Sequence, residues 1–145
     1  MTSARDVANY FLATQHDEAG ELISNLKLQK LVYYAQGVHL AVHDRPLFRE
    51  QIKAWDHGPV VPQLWHDFKK YGAAPLPVPS AAPEFDAAAR EVLDDVAEVY
   101  GQFSAWRLRE LTHSEPPWIE AYASTSKVVQ HETMRRYFRT RLIEA

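Results

Sequence analysis

The chain has 145 residues, 46% of them hydrophobic and 24% charged, with a net charge of −3 and no cysteine. That length and balance predict one domain over residues 1–145, able to bury a core without cross-links. The missing cysteines exclude disulfides, thiolate metal sites and a cysteine nucleophile. The acidic balance argues against nucleic acid as a partner, since such affinity comes largely from neutralising phosphate.

The N-terminal MTSARDVANYF carries one basic residue and no long apolar run, so no secretory leader is expected. No window approaches the roughly 20 apolar residues of a membrane span. The expected location is the cytoplasm, with no membrane partner. A supply of 4 Trp, 7 Tyr and 6 Phe serves a core first and protein interfaces second.

Ser3 and Asp6 form a candidate capping box, and Val7, Phe11 and Leu12 continue a helical stripe to Gln15. His16–Glu21, with Gly20, reads as a turn. Ser24 or Asn25 caps a second helix, in which Leu28, Leu31, Val32, Ala35, Val38 and Val42 form one apolar face. Lys27, Lys30, Tyr33 and Gln36 fall mostly off that face. Tyr33 and Tyr34 are adjacent, so at least one is expected at the edge of the core.

Pro46 ends this helix. Leu47–Phe48 and Ile52–Trp55 are two short apolar pieces expected to form a hairpin around Arg49-Glu50-Gln51. His57-Gly58-Pro59 is a turn signal, and the expected role of Trp55 is to staple that turn onto the second helix. A third helix follows from Pro62, with Val61, Leu64, Trp65 and Phe68 inward and Gly72 as its stop. The proline-rich stretch 73–83 reads as an extended, mobile connector within the domain.

Helical pattern resumes from Glu84 through Val92, Val96 and Val99 to Gly101. Ser104 caps a short helix with Leu108 and Leu111, and Pro116-Pro117 open the next one. Lys127–Gln130 reads as a single strand pairing with the hairpin. A last helix spans Glu132–Ile143, with Met134, Tyr137, Phe138 and Leu142 facing inward. The predicted class is mainly α: a compact bundle of about six or seven helices with a small β-hairpin or short-strand element.

Catalytic signatures are missing. There is no Gly-x-Ser-x-Gly elbow, and 5 glycines leave no phosphate-cradling loop. His57, His66 and His113 suggest a metal-dependent hydrolase only weakly, because no pair among them has helical ligand spacing. His39 and His43 have that spacing, without the glutamate a general base needs. Asp94, Asp95 and Glu98 read as a solvated helix face. No enzyme activity, metal or cofactor is expected. Arg135, Arg136, Arg139 and Arg141 make the last helix basic, which suits either a helix C-terminus or phosphate contact.

Leu26-Lys27-Leu28-Gln29-Lys30-Leu31, followed by Tyr33-Tyr34-Ala35-Gln36-Gly37, resembles the signature of the Panacea domain family, the SocA-like and phage-associated antitoxins. Pro46-Leu47-Phe48, Ile52 to Trp55 and Gly58-Pro59-Val60-Val61-Pro62 are similar to its next block. Leu111-Thr112-His113 with Pro117-Trp118 is similar to a further one. The resemblance implies an antitoxin that neutralises a protein toxin encoded by the adjacent gene. Its SocA-like branch implies a proteolytic adaptor delivering that toxin to the ClpXP protease. Lys27, Gln29, Lys30, Tyr33 and Gln36, with Trp55 and His57, are expected on the solvent side as the toxin-binding surface. The alternative is a DNA-binding autoregulator of its own operon, using the Arg135–Arg141 helix.

Overall fold

The computed structural model describes residues 2–14 and 23–144. Helix α1 (Ala4–Thr14) opens with the expected capping box. The Asp6 amide donates to Ser3 Oγ at 3.1 Å, and the Ser3 amide returns to Asp6 Oδ2 at 3.4 Å. The Ala4 amide donates to Glu50 Oε2 at 3.0 Å, a further anion at the helix N-terminus. The turn expected at His16–Glu21 lies outside the described residues.

Helix α2 (Asn25–His43) starts on Ser24, whose hydroxyl accepts from the Lys27 amide at 3.3 Å. It ends at Asp44, in the left-handed region at φ 58°. Between these caps α2 is wrapped on nearly every side, by α1, α3, α4, α5, α7 and β2. An amphipathic surface helix hides one stripe; this one has become the axis of the molecule. Tyr33 and Tyr34 are both fully buried, contrary to the expectation for adjacent residues, because α2 has no solvent side at their level.

The hairpin is displaced from its expected place. Strand β1 (Lys53–Trp55) pairs antiparallel with β2 (Gly58–Val60) across a two-residue Asp56-His57 turn. Leu47 and Phe48 form no strand and are held by α2 instead. The expected strand at Lys127–Gln130 is reduced to one antiparallel bridge, Lys53 to Val128, flanked by hydrogen bonds from Ala54 to Lys127 and from Val129 to Ile52.

Helix α3 (Pro62–Phe68) passes into a 3-10 turn (Lys69–Tyr71) that stops at Gly72, at φ 58°. The stretch 73–83 contains no helix or strand, and most of its residues are exposed. Leu76 anchors it: the side chain is buried, and its amide donates to Ile23 O at 2.8 Å. Helix α4 (Ala87–Tyr100) starts later than expected because Asp86 caps it, accepting from the Ala89 amide at 2.8 Å. Helices α5 (Ala105–His113), α6 (Pro116–Ala123) and α7 (His131–Glu144) follow, α5 capped by Ser104 and α6 opening on proline.

The fold is therefore mainly α, with seven α-helices and one small two-stranded sheet among the described residues. Buried Phe11, Phe48 and Phe138 join one core cluster drawn from elements along the whole chain. Each such ring contributes about 1.5–3 kcal/mol on removal from water. Leu142 points outward rather than in, and Val42 and Val99 are also about half exposed. No helix among the described residues is long and apolar enough to cross a membrane.

Candidate interaction site

The polar residues of α2 are the first surprise. Five of those expected on a solvent-side surface (Lys27, Gln29, Lys30, Tyr33 and Gln36) are buried. Their heads bind segments of the chain itself. Gln36 Oε1 accepts from the Leu47 amide at 2.7 Å, and its Nε2 donates to Phe48 O at 2.8 Å. Gln29 Oε1 accepts from the Val61 amide at 2.9 Å, while its Nε2 donates to Asn25 Oδ1 at 3.0 Å. Lys27 Nζ donates to Gly101 O at 2.7 Å. These residues satisfy backbone groups that form no ladder, which would otherwise be buried without partners.

Gly37 completes the signature sterically. A Cβ at that position would lie 2.1 Å from the Phe138 ring, so α7 reaches α2 only over glycine.

Tyr33 and Tyr34 donate to the two oxygens of Glu115, each at 2.9 Å, with Tyr137 as a third partner. Tyr100 stacks on Tyr34 at a centroid distance of 3.8 Å. Burial pushes the Glu115 carboxyl up to about 7, outweighing the tyrosine bonds that favour its charged form. The same burial, reinforced by Glu115, raises both tyrosines. Sequence reasoning missed this cluster. The available signal was a glutamate placed directly before Pro116-Pro117, at the start of an apolar helix.

Lys30 has no hydrogen-bond partner for its buried Nζ, alone in this among the described residues. Burial, then the nearby Arg109, lowers it to about 7. Its head lies behind Gly58, where a Cβ would meet Lys30 Cε at 2.5 Å and Thr112 Oγ1 at 3.0 Å. Gly58 also sits at φ 118°, so both the turn geometry and the lysine call for glycine.

Outside this buried layer lies the Asp56-His57 turn, and here two of the expected site residues do reach the surface. His57 is exposed and Trp55 partly so. Arg109 Nε donates to His57 Nδ1 at 3.4 Å, and Trp118 Nε1 donates to Trp55 O at 2.9 Å. Tyr122 Oη donates to Asp56 Oδ1 at 2.5 Å, which raises the Tyr122 phenol. Trp55 meets Trp65 edge-on rather than stapling onto α2. Beyond the turn, Trp106 is 63% exposed, with the Arg109 guanidinium over its ring at 4.8 Å. The result is an aromatic and arginine-bearing face built from β1, α5 and α6.

The model of the Antitoxin SocA-like, Panacea domain family matches residues 28–119, from α2 through the start of α6. The chain belongs to this family. It is 35% identical over 131 residues to Antitoxin SocA of Caulobacter vibrioides (strain NA1000 / CB15N), covering 79% of this chain and 68% of that protein. No solved structure matches. Within this Panacea domain the signature residues of α2 are thus internal fasteners, and the exposed turn stands outside them.

The arginines of α7 are used internally. Arg135 pairs with Asp44 at 2.5 Å and also with Glu132; Arg139 lies 3.5 Å from Asp44, and Arg136 lies 3.9 Å from Glu120. Arg135 and Arg139 clamp α7 onto the C-terminal cap of α2, and Arg136 ties it to α6. Among the histidines weighed for metal, His57 and His113 flank the turn, and His66 is exposed on α3. No three His, Asp or Glu side chains among the described residues gather into a metal-holding group.

Proposed function

We propose that this protein is a cytoplasmic antitoxin that binds the protein toxin encoded by the adjacent gene and silences it by contact, without catalysis or cofactor. Family membership and the likeness to Antitoxin SocA support the role. The observation that carries the contact surface is the exposed face around Trp55, His57, Trp106 and Arg109. Tryptophan and arginine are the residue types that dominate binding energy at protein interfaces. A cation held over an exposed indole is a preordered contact. The internal pairing of the α7 arginines favours this reading over DNA contact.

The test is a pull-down of the purified protein with the adjacent-gene product, followed by toxin lifetime with and without ClpXP. Stable binding that silences the toxin without loss supports steric neutralisation. Binding followed by protease-dependent loss supports an adaptor. Trp55→Ala with His57→Ala should weaken capture by about 10-fold or more while the fold is retained. Undiminished capture would remove the turn from the interface.

A further inference from the structure

At the other end of α2 the molecule carries an open apolar groove of about 430 Å³. It lies where α4 and α7 both pack on the C-terminal half of α2. Val96 and the buried edge of Phe138 form its floor. Val42, Val99 and Leu142 stand at its rim, exposed to 49%, 50% and 42%. These three come from three different helices, so no single amphipathic stripe accounts for them.

The walls differ in charge. Glu91 and Asp95 line the α4 side, and Glu98 continues that row one turn further on. No hydrogen bond or ion pair engages any of the three among the described residues. Three arginines of α7 are committed elsewhere, Arg135 and Arg139 to Asp44 and Arg136 to Glu120, and Arg141 on the groove wall also has a partner. An apolar floor beside an unpaired acidic rim is complementary to one kind of ligand.

We infer that this groove receives a basic amphipathic helix from the toxin, with its apolar stripe on Val42, Val99 and Leu142 and its lysines or arginines along Glu91 and Asp95. The inference rests on the antitoxin reading and adds to it a second contact. The row Glu91–Asp95–Val99 spans about 12 Å at 1.5 Å per residue, which two to three turns of a partner helix cover. Side chains at i, i+3 or i+4, and i+7 of such a helix would fill the groove. Lys30, behind the turn, and Val42 stand about 18 Å apart along α2, so one toxin could engage the turn and the groove together. Two linked contacts raise avidity beyond either alone.

The experiment measures affinity for the purified adjacent-gene product by titration calorimetry over a range of salt. Val99→Arg places a cation in the rim and should weaken binding by about 100-fold. Glu91→Lys with Asp95→Lys should weaken it by about 10-fold at low salt and flatten its salt dependence. All three positions are exposed, so helical circular dichroism and melting should match the wild type. Binding by these variants within about twofold of wild type overturns the groove. If Trp55→Ala with His57→Ala weakens binding while the groove variants do not, the antitoxin reading stands and the groove falls. If the wild-type protein does not bind the toxin at all, both fall. A wild-type dimer in sedimentation that Val99→Arg dissolves, with toxin affinity unchanged, assigns the groove to a second copy and overturns the proposal.

Discussion

Gly37→Ala tests whether glycine is what allows α7 to dock on α2. A methyl there would lie 2.1 Å from Phe138 Cε2 and 2.3 Å from Cδ2. Carbon atoms in contact rest about 3.5–4.0 Å apart, so the ring or the helix must give way by about 1.5 Å. Phe138 has little freedom to do so, being buried and packed edge-on against Tyr33 and Tyr34 at 5.7 and 5.8 Å between centroids. Overpacking at such a site costs about 3 kcal/mol, the upper end of its usual range. Alanine's better helix propensity returns about 1 kcal/mol. The expected net loss is about 2 kcal/mol, or a fall in Tm of about 4–8 °C for a domain of this size. Thermal and urea unfolding followed by circular dichroism would measure it. Phe138→Leu in the same background makes room, so the double variant should lose about 1–2 kcal/mol less than the sum of the singles. An additive cycle, or a Gly37→Ala protein as stable as wild type, would refute the packing argument.

Two buried ionisable groups should leave opposite marks on stability against pH. Glu115 is pushed up to about 7 in the fold from 4.5, so its contribution is whole below pH 4.5 and is lost as pH rises through 7. Urea midpoints of Glu115→Gln should lack that decline. Lys30 is pushed down to about 7 from 10.5, so the unfolded chain binds more protons between those values. Stability from this group therefore grows as pH rises from 7 to 10.5, and Lys30→Met should remove the rise. Parallel wild-type and variant curves would show that neither group's pKa differs between the folded and unfolded chain. Gln36→Ala leaves the Leu47 amide and the Phe48 carbonyl without partners. At about 1–3 kcal/mol for each of the two orphaned groups, a loss of about 2–6 kcal/mol is expected, with Leu47 amide exchange accelerating first. An unchanged midpoint would mean that water replaces the side chain.

The local signals in the sequence translated well into structure. The Ser3–Asp6 box, the caps at Ser24 and Ser104 and the opening at Pro116 each depend on residues within one turn. The apolar stripe of α2 was equally legible from Leu28 to Ala35, while Val42 at its far end is half exposed. What that stripe could not reveal is whether the other faces of the helix also meet protein. The partners of Lys27 and Tyr33 lie 74 and 82 positions away, at Gly101 and Glu115. Polar residues off an apolar face look solvated until such distant groups are placed, and five signature residues were therefore expected outside. The hairpin slipped for a related reason. Gly58 at φ 118° sets its return, while Gln36 removes Leu47 and Phe48 from any ladder. Trp55 and His57 did emerge at the surface, because the turn carrying them projects beyond the Gly58–Lys30 contact.

The enclosure of α2 also bears on how the chain is made. Its signature turn, from Tyr33 to Gly37, closes against Phe138, Tyr137 and Glu115, which a ribosome supplies only after most of the chain has been synthesised. Until α7 arrives, the tyrosine pair lacks the wall that Phe138 and Tyr137 supply, and α2 keeps one side uncovered. Maturation of the nascent chain should therefore be a late, concerted event. Chains arrested before α7 should be cut within α2 by a protease that leaves the finished molecule untouched.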